Sequence, residues 1–285
     1  MHALLRGAQN TTGCDVTEIA IRLIRNGFGR GWTVDGIRRL PGPERRKVYS
    51  VNSTSPQGRR HRLILKFYPA DEPEAVPTEI RGIRIAGSAG VPVPEVIAKD
   101  HRIGCILMTR LPGRPIVRPR TGWTWLVDRL AELLLTIHSA DMGSTPLGGY
   151  EPYGLGESHA IPGDLSRYCI DVLRSPPPAG PIGFLHRDYH PGNVLWSSGR
   201  LSGVVDWSVA CIGSPWADVA HCRFNLWRWH GEKAADAMVA QYHRLRPELP
   251  PYNPYWDIAT AMSIPWPIRE TVLRSAAERL RADDR

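Results

Sequence analysis

One loop of this sequence concentrates side chains that are suited to chemistry. It is His-Arg-Asp-Tyr-His-Pro-Gly-Asn at residues 186–193, and a further carboxylate, Asp206, ends an apolar run thirteen residues later. Phosphoryl transfer needs a carboxylate to orient or deprotonate the attacking hydroxyl, and oxygen ligands for a Mg²⁺ ion that bridges the phosphates. The spacing therefore predicts a phosphoryl-transfer site in which Asp188 is the base and Asn193 and Asp206 hold the metal.

The complete spacing of this loop is more informative than its histidine and aspartate alone. In protein kinases a His-Arg-Asp loop carries the base, its asparagine binds one metal, and an aspartate on the next hairpin binds another. The alternative is a surface hairpin with incidental acids. Asp206 argues against it, because an unpaired carboxylate directly after the apolar Val204 and Val205 would be costly.

A lysine within an apolar strand supplies the next expected part. Lys66 lies in Leu-Ile-Leu-Lys-Phe-Tyr at residues 63–68. Facing inward, it would need an anionic partner, and the corresponding lysine of kinases holds the α- and β-phosphates. Glu79, on a predicted helix, is the expected ion-pair partner. The alternative for Lys66 is the solvent face of an edge strand.

With these parts, the chain resembles the aminoglycoside phosphotransferase family, whose members share the protein-kinase fold with choline kinases. The likeness covers most of the chain. It includes a first hairpin, the lysine strand, a helix-to-strand turn, a hinge and a helix start, at residues 47–51, 63–68, 90–94, 106–113 and 213–220.

The resemblance implies a nucleotide site and several supporting residues. The backbones of Thr109 and Leu111 would contact the purine of ATP or GTP, and Met108 would border it. Asp218 would brace the catalytic loop from the start of a helix, which the helix dipole also favours.

Two histidines of the loop are given supporting roles. His186 is expected to orient the loop through hydrogen bonds. His190 is expected to be part of the local structure without a direct role in the reaction.

Two departures limit the resemblance. Residues 41–46 read Pro-Gly-Pro-Glu-Arg-Arg instead of a Gly-x-Gly-x-x-Gly loop, so phosphate contacts are expected from backbone N–H groups or from Arg45 and Arg46. Asp206 is followed by Trp207 and Ser208 instead of Phe-Gly, and no Ala-Pro-Glu follows. These differences disfavour a regulated protein kinase and favour a small-molecule acceptor.

The elements that must position these residues follow from periodicity and from turn residues. Helices are predicted at 16–26, with Asp15 as N-cap and Gly27 as stop, at 77–89 and at 125–138. Strands are predicted at 48–51, 63–68, 94–98 and 103–108. The Pro-rich stretch 174–181 predicts a loop, and the C-terminal third predicts helices interrupted at 247–254 and 265–267.

These elements predict an α+β, bilobal protein-kinase-like fold. Residues 1–110 would form an N-lobe with an antiparallel sheet and one main helix, which binds the nucleotide. Residues 111–285 would form a mainly helical C-lobe, which holds the catalytic loop and the acceptor. The hinge would lie at residues 109–113.

Charge and cysteine content narrow the class of protein. The net charge is +8, and residues 1–110 contain 18 Lys and Arg against 10 Asp and Glu. A solvated surface is the preferred interpretation over a phosphate-attracting field, and no nucleic-acid recognition motif accompanies the charge. The five cysteines lack Cys-x-x-Cys spacing, which favours buried free thiols. No apolar run suggests a signal peptide or a membrane span, so we expect a cytoplasmic protein without a membrane partner.

The predicted activity is Mg²⁺-dependent transfer of the γ-phosphoryl group of ATP or GTP to a hydroxyl of a small molecule. An aminoglycoside-type antibiotic is the first expected acceptor. Other antibiotics, or a metabolite alcohol that resembles choline, a sugar or homoserine, are alternatives, as is a nucleotide-binding pseudokinase. A polycationic acceptor would call for an acidic cleft, which five C-terminal acids would have to form together: Asp218, Glu232, Asp236, Asp257 and Glu270.

Overall fold

The computed structural model describes residues 15–120, 122–152, 163–262, 264 and 267–283 of the 285-residue chain. Cys14 lies outside these residues, and so does most of the predicted interruption at 265–267. Within them no helix is long and apolar enough to cross a membrane.

A five-stranded antiparallel sheet fills the N-terminal part of the chain. Its order is β1-β2-β3-β5-β4. The strands are β1 (Thr33–Arg39), β2 (Val48–Thr54), β3 (Arg60–Phe67), β4 (Val96–Asp100) and β5 (Cys105–Thr109). The predicted hairpin and the two later strands are confirmed, the latter shifted by about two residues. β1 was missed, because this edge strand is largely exposed and lacks an apolar run.

The register of the sheet places the lysine of β3 in its middle. Lys66 lies opposite Val48 of β2 and Ile106 of β5. Ile106 is fully buried, and the side chain of Lys66 is only 7% exposed. Lys66 therefore points into the protein, and the alternative of a solvent-facing edge position is excluded.

Two helices flank this sheet. Helix α1 (Val16–Phe28) begins at Asp15, whose side chain accepts a hydrogen bond from Thr17 N as predicted. It continues past Gly27, so the predicted stop is wrong. A Cβ at Gly27 would lie 2.4 Å from Ile97 Cγ2 of β4, and the glycine therefore permits close helix–sheet packing.

The second helix carries the glutamate partner of the lysine. Helix α2 (Ala75–Ser88) matches the predicted segment and buries Glu79 together with Ile83 and Ala86. Gly82 lies against Trp207, where an added Cβ would come within 2.8 Å of the Trp207 Cβ. This contact ties α2 to the segment that contains Asp206.

The rest of the described chain is mainly helical. Its helices are α3 (Thr124–His138), α4 (Asp164–Arg174), α5 (Pro215–His230), α6 (Glu232–Leu245), α7 (Tyr255–Ala261) and α8 (Arg269–Asp283). Strands β6 (Arg114–Pro115), β8 (Val194–Ser197) and β9 (Arg200–Val204) form one small sheet, and β7 (Gly183–Leu185) pairs with β10 (Cys211–Gly213). The predicted helix at 125–138, the loop after residue 174 and the break at 247–254 are confirmed.

One large core joins α3, α5, α6 and α7. Trp207 and Trp256 are among its largest fully buried side chains. The four described cysteines are buried and free, as expected: Cys105, Cys169, Cys211 and Cys222. The architecture agrees with the predicted α+β organisation, while the exact division between two lobes stays a prediction.

Candidate active site

Lys66 lies between two carboxylates. Its Nζ is 2.7 Å from Glu79 Oε2 and 2.7 Å from Asp206 Oδ1. Tyr68 donates its hydroxyl to the same Glu79 oxygen. Burial alone would lower the pKa of the Lys66 ammonium, but the Asp206 and Glu79 carboxylates raise it. The lysine is therefore a fixed cation at the inner wall of the site.

Asp206 is held in an unusual backbone conformation. Its φ is 69°, in the left-handed region that residues other than glycine rarely adopt. The following residue anchors it, because the Trp207 indole is fully buried and donates Nε1–H to Val204 O at 3.1 Å. Ser208 donates its hydroxyl to Asp206 Oδ1 at 2.9 Å. Burial would raise the pKa of Asp206, but the Lys66 ammonium lowers it, so the carboxyl is ionised at neutral pH.

The loop of residues 186–193 brings Asp188 and Asn193 together. A 3-10 turn, Pro191–Asn193, reverses the chain. Asn193 Nδ2 donates to Asp188 O at 2.9 Å and to Asp188 Oδ2 at 3.2 Å. The nitrogen end of the Asn193 amide is thereby committed to Asp188, which leaves its oxygen as the atom available to a cation.

The predicted bracing of this loop by Asp218 is confirmed. Asp218, in the first turn of α5, accepts the backbone N–H groups of His186 and Arg187 at 2.8 and 2.7 Å. His138 of α3 contacts the same carboxylate at 3.1 Å. Burial would raise the pKa of Asp218, but the contact with His138 lowers it. The brace helps to hold Arg187 at a φ of 73°.

The expected orienting contacts of His186 are also present. Its Nδ1 accepts Asp188 N–H at 3.2 Å, and its Nε2 lies 3.0 Å from Val205 O. The ring therefore links the loop of residues 186–193 to the chain segment that precedes Asp206. Burial lowers the pKa of His186, so the ring is neutral.

Two imidazoles approach Asp188 Oδ1. His221 Nε2 of α5 lies 3.0 Å away and His190 Nε2 lies 3.7 Å away. Burial would raise the pKa of Asp188, but the hydrogen bond and charge of His221 hold it far below its usual range. Sequence reasoning missed His221, because a single histidine on a helix carries no spacing signal.

The separations within Asp188, His190 and His221 are short enough for a metal ion to bind all three. The hydrogen bonds argue for a different arrangement. His190 Nδ1 accepts Gly192 N–H at 3.0 Å, as expected for a locally structural side chain. A neutral ring that accepts at Nδ1 carries its hydrogen on Nε2, which then faces Asp188 as a donor and not as a ligand.

A cavity of about 390 Å³ gathers the other predicted residues. Its wall contains seven of them: Lys66, Glu79, Met108, Thr109, Leu111, Asn193 and Asp206. Leu40, Val48, Ile64, Leu195 and Val205 add apolar surface. A mainly apolar cavity with an ionic group at one end suits a purine with a phosphate chain. Asp188 lies beside this cavity, in contact with Asn193.

The two adjacent arginines of the loop between β1 and β2 have different partners. Arg45 is paired with Asp71 at 2.6 Å, and both side chains are exposed. Arg46 contacts Glu72 at 2.6 Å and donates to Ser208 Oγ at 3.0 Å. Ser208 in turn donates to Asp206, so Arg46 is linked to the Asp206 carboxylate through one side chain. Arg45 lies on the surface.

Four of the five acids that an acidic cleft would require lie apart from one another or are paired with other residues. Asp236 and Asp257 do meet, but at the buried Arg223, whose nitrogens lie 2.7 and 3.3 Å away. Glu270 pairs with Arg274 on α8, and Asp218 faces the loop of residues 186–193. Each of these four carboxylates therefore already has a partner in this protein.

A family model described as the phosphotransferase enzyme family matches residues 36–255. Among curated proteins, a homoserine kinase from Granulibacter bethesdensis is 28% identical over 192 residues, covering 66% of this chain and 50% of that protein. A homoserine kinase from Methylocella silvestris is 35% identical over 106 residues, covering 35% of this chain and 30% of that protein. The chain thus matches half or less of the length of these relatives.

Solved structures share the fold over nearly the whole chain. Aminoglycoside phosphotransferase APH(4)-Ia is 19% identical with a TM-score of 0.63, covering 93% of this chain and 97% of that chain. A thermostable variant of it, solved in a ternary complex with AMP-PNP and hygromycin B, has a TM-score of 0.60 at 20% identity, with coverages of 92% and 96%. A choline/ethanolamine kinase family protein from Mesorhizobium loti has a TM-score of 0.60 at 18% identity, with 93% of each chain covered. These likenesses confirm the predicted protein-kinase-like α+β fold.

Proposed function

The chain belongs to the phosphotransferase enzyme family, and on that basis we propose that it transfers the γ-phosphoryl group of ATP or GTP to a hydroxyl of a small molecule. The observation that carries the proposal is the pair of contacts at Lys66 Nζ, with Glu79 and Asp206 both at 2.7 Å, at the end of a cavity that suits a nucleotide. Burying such charges costs desolvation free energy, and their presence in the interior therefore favours a functional role over a purely stabilising one.

Lys66 would bind the phosphates of the nucleotide. Glu79 holds it from α2, and Asp206 contacts it from the segment after β9. A preorganised cation stabilises the charge that is redistributed on the phosphates in the transition state. Because the ammonium is already fixed, little reorganisation is needed when the nucleotide binds.

The purine would lie at the other end of the cavity, beside Met108. Thr109 donates its backbone N–H to Glu95 O at 2.9 Å, so its carbonyl oxygen is the group it can offer to a purine. Leu111 would offer its backbone N–H. Both residues line the cavity.

Asn193 and Asp206 fit a Mg²⁺ ion. Mg²⁺ prefers hard oxygen ligands, and both side chains line the cavity with a carboxylate or an amide oxygen. The Asp206 side chain is 30% exposed, so it can be reached from the cavity. Bound there, the ion would neutralise charge on the phosphate oxygens.

Asp188 would accept the proton of the attacking hydroxyl or orient that hydroxyl. Its carboxylate is 33% exposed and ionised, and hydrogen bonds hold both of its oxygens. A carboxylate with so low a pKa favours orientation over early proton removal. Catalysis would then depend mainly on alignment and electrostatic stabilisation.

Two acceptor classes have specific support. An aminoglycoside-type acceptor is supported by the fold neighbours, one of which is solved with hygromycin B. A homoserine-like amino alcohol is supported by the curated relatives. Asp236 and Asp257 are already paired with Arg223, and Asp257 is also paired with Arg279, which weakens the case for a polycation.

A coupled assay of ATP and GTP consumption tests the proposal. Aminoglycosides, macrolides and other hydroxylated antibiotics, choline, sugars and homoserine are each added to the full chain with Mg²⁺. Stimulation by one class identifies the acceptor. Tight nucleotide binding without stimulation by any acceptor would support a nucleotide-binding pseudokinase and contradict the proposed activity.

A further inference from the structure

A histidine from outside the catalytic loop contacts the carboxylate of Asp188. His221 lies on α5, three residues after Asp218, and its Nε2 is 3.0 Å from Asp188 Oδ1. The His221 side chain is 12% exposed, so the contact is largely shielded from water. A donor to a carboxylate in such surroundings makes one of the stronger hydrogen bonds in proteins.

The same short stretch of α5 contacts both the backbone and a side chain of the loop of residues 186–193. Asp218 accepts the backbone N–H groups of His186 and Arg187, which fixes the course of the main chain. His221 contacts the side chain that the loop presents. The backbone and the side chain of the loop are therefore both held by α5.

The contacts of Asp188 determine how its carboxylate is rotated. Asn193 Nδ2 approaches Oδ2 at 3.2 Å, and His221 Nε2 approaches Oδ1 at 3.0 Å. The terminal torsion of an aspartate is broad when nothing restrains it. Two donors on opposite oxygens restrict this torsion, and they fix the direction in which the carboxylate meets a hydroxyl.

We infer that His221 is a positioning residue for the phosphoryl transfer. It fixes the rotation of the Asp188 carboxylate and so aligns the carboxylate with the acceptor hydroxyl. The inference rests on the proposed function, because alignment matters only if Asp188 acts on an acceptor. His221 lies away from the nucleotide cavity, so its effect is expected on kcat and not on nucleotide binding.

Three variants separate this role from a structural one. His221→Ala removes the donor, His221→Gln keeps an amide N–H at a similar reach, and His243→Gln is a matched control on α6. In the alanine variant kcat falls about 10- to 100-fold, the loss expected for one hydrogen bond to a charged group. The KM for the nucleotide is unchanged, the glutamine variant recovers most of the rate, and the control behaves as wild type.

A second measurement does not depend on turnover. In a ¹H–¹⁵N NMR spectrum of the full chain, His221 is expected to carry a hydrogen on Nε2, and the Nε2–H signal is expected to change in Asp188→Asn. Wild-type kcat in the alanine variant, or a ring with its hydrogen on Nδ1, overturns the role of His221 while the proposed function stands. A wild-type protein that phosphorylates no acceptor overturns the proposed function itself.

Discussion

Lys66 and Asp206 are 140 positions apart in the chain, yet Lys66 Nζ lies 2.7 Å from Asp206 Oδ1. Glu79 contacts the same nitrogen at the same distance. One ammonium therefore joins the sheet, helix α2 and the segment after β9. Because a single cation compensates two acids, the loss of Lys66 would leave like charges close together in partly or fully buried positions.

Replacement of Lys66 by methionine is expected to lower both stability and nucleotide affinity. It leaves Glu79 buried without its cation, and such uncompensated charges cost about 3–5 kcal/mol. The double variant Lys66→Met/Glu79→Leu removes the buried acid as well and should recover much of the free energy of unfolding without recovering activity. Urea unfolding at pH 7 measures the stability, and calorimetry with Mg-nucleotide measures the affinity. Equal stabilities of the single variant and the wild type would show that the ion pair is not buried as described.

Asp188→Asn is expected to reduce turnover without weakening nucleotide binding. The variant loses the carboxylate that we propose accepts or orients the acceptor hydroxyl, and a group with this role contributes about 10²–10⁴-fold to rate. Asp188 does not line the cavity proposed for the nucleotide, so nucleotide binding is expected to be retained. Initial rates with an identified acceptor and titration calorimetry with nucleotide provide the two measurements. Wild-type turnover in this variant would contradict the role of Asp188.

Asp206→Asn is expected to show the opposite division of effects. The substitution replaces a charged carboxylate of the proposed Mg²⁺ site by a neutral amide oxygen, which is a weaker ligand, and so weakens binding of the Mg-nucleotide. The dependence of affinity on added Mg²⁺ should then be reduced relative to the wild type. Calorimetry with ATP in EDTA and in excess Mg²⁺ tests this. Equal Mg²⁺ dependence in both proteins would count against Asp206 as a ligand.

Motif spacing and apolar periodicity were sufficient to predict much of this arrangement. Lys66 lies within an apolar run and Asp206 directly follows one. Because an unpaired charge in such surroundings would be costly, each was expected to be buried with a partner. Asp218 could be placed through the resemblance, and its contacts with the loop are present. Met108, Thr109 and Leu111, which the resemblance places in a hinge, line one cavity together with Lys66 and Asp206.

The parts that sequence reasoning missed depend on contacts between distant elements. His221 meets Asp188 only because α5 packs beside the catalytic loop, a relation that no local pattern encodes. Gly27 resembles a helix stop, but it lies within α1, where Ile97 of strand β4 leaves no room for a larger side chain. Edge strand β1 was not predicted, because it buries little of either face and so has no apolar pattern in the sequence. The pairing of Asp236 with Arg223 is likewise a tertiary feature.

His190 is expected to make stability fall at acid pH. Burial lowers its pKa from 6.5 to about 4. The unfolded state therefore takes up a proton first as the pH falls below 6.5, and stability decreases until the pH reaches about 4, by about 3 kcal/mol in all. His190→Asn keeps an acceptor for Gly192 N–H but cannot titrate. The difference in free energy of unfolding between the two proteins, measured by urea at pH 7 and at pH 4.5, should change in favour of the variant at the lower pH. A constant difference would show that His190 titrates normally.

Gly82→Ala is expected to disturb the site from a distance. An added Cβ would lie 2.8 Å from Trp207 Cβ and 3.1 Å from Ala210 Cβ, so α2 must move away from the segment that follows Asp206. Overpacking of this kind costs about 1–3 kcal/mol, more than alanine gains in helix propensity. Because Glu79 lies one turn earlier on α2, the movement should also loosen its contact with Lys66 and weaken nucleotide binding. Gly36→Ala on β1 is the control, since an added Cβ meets no atom within 4 Å there. Thermal unfolding and nucleotide calorimetry on both variants decide the matter: if Gly82→Ala matches the control in both, α2 and Trp207 are not packed tightly enough to position Glu79.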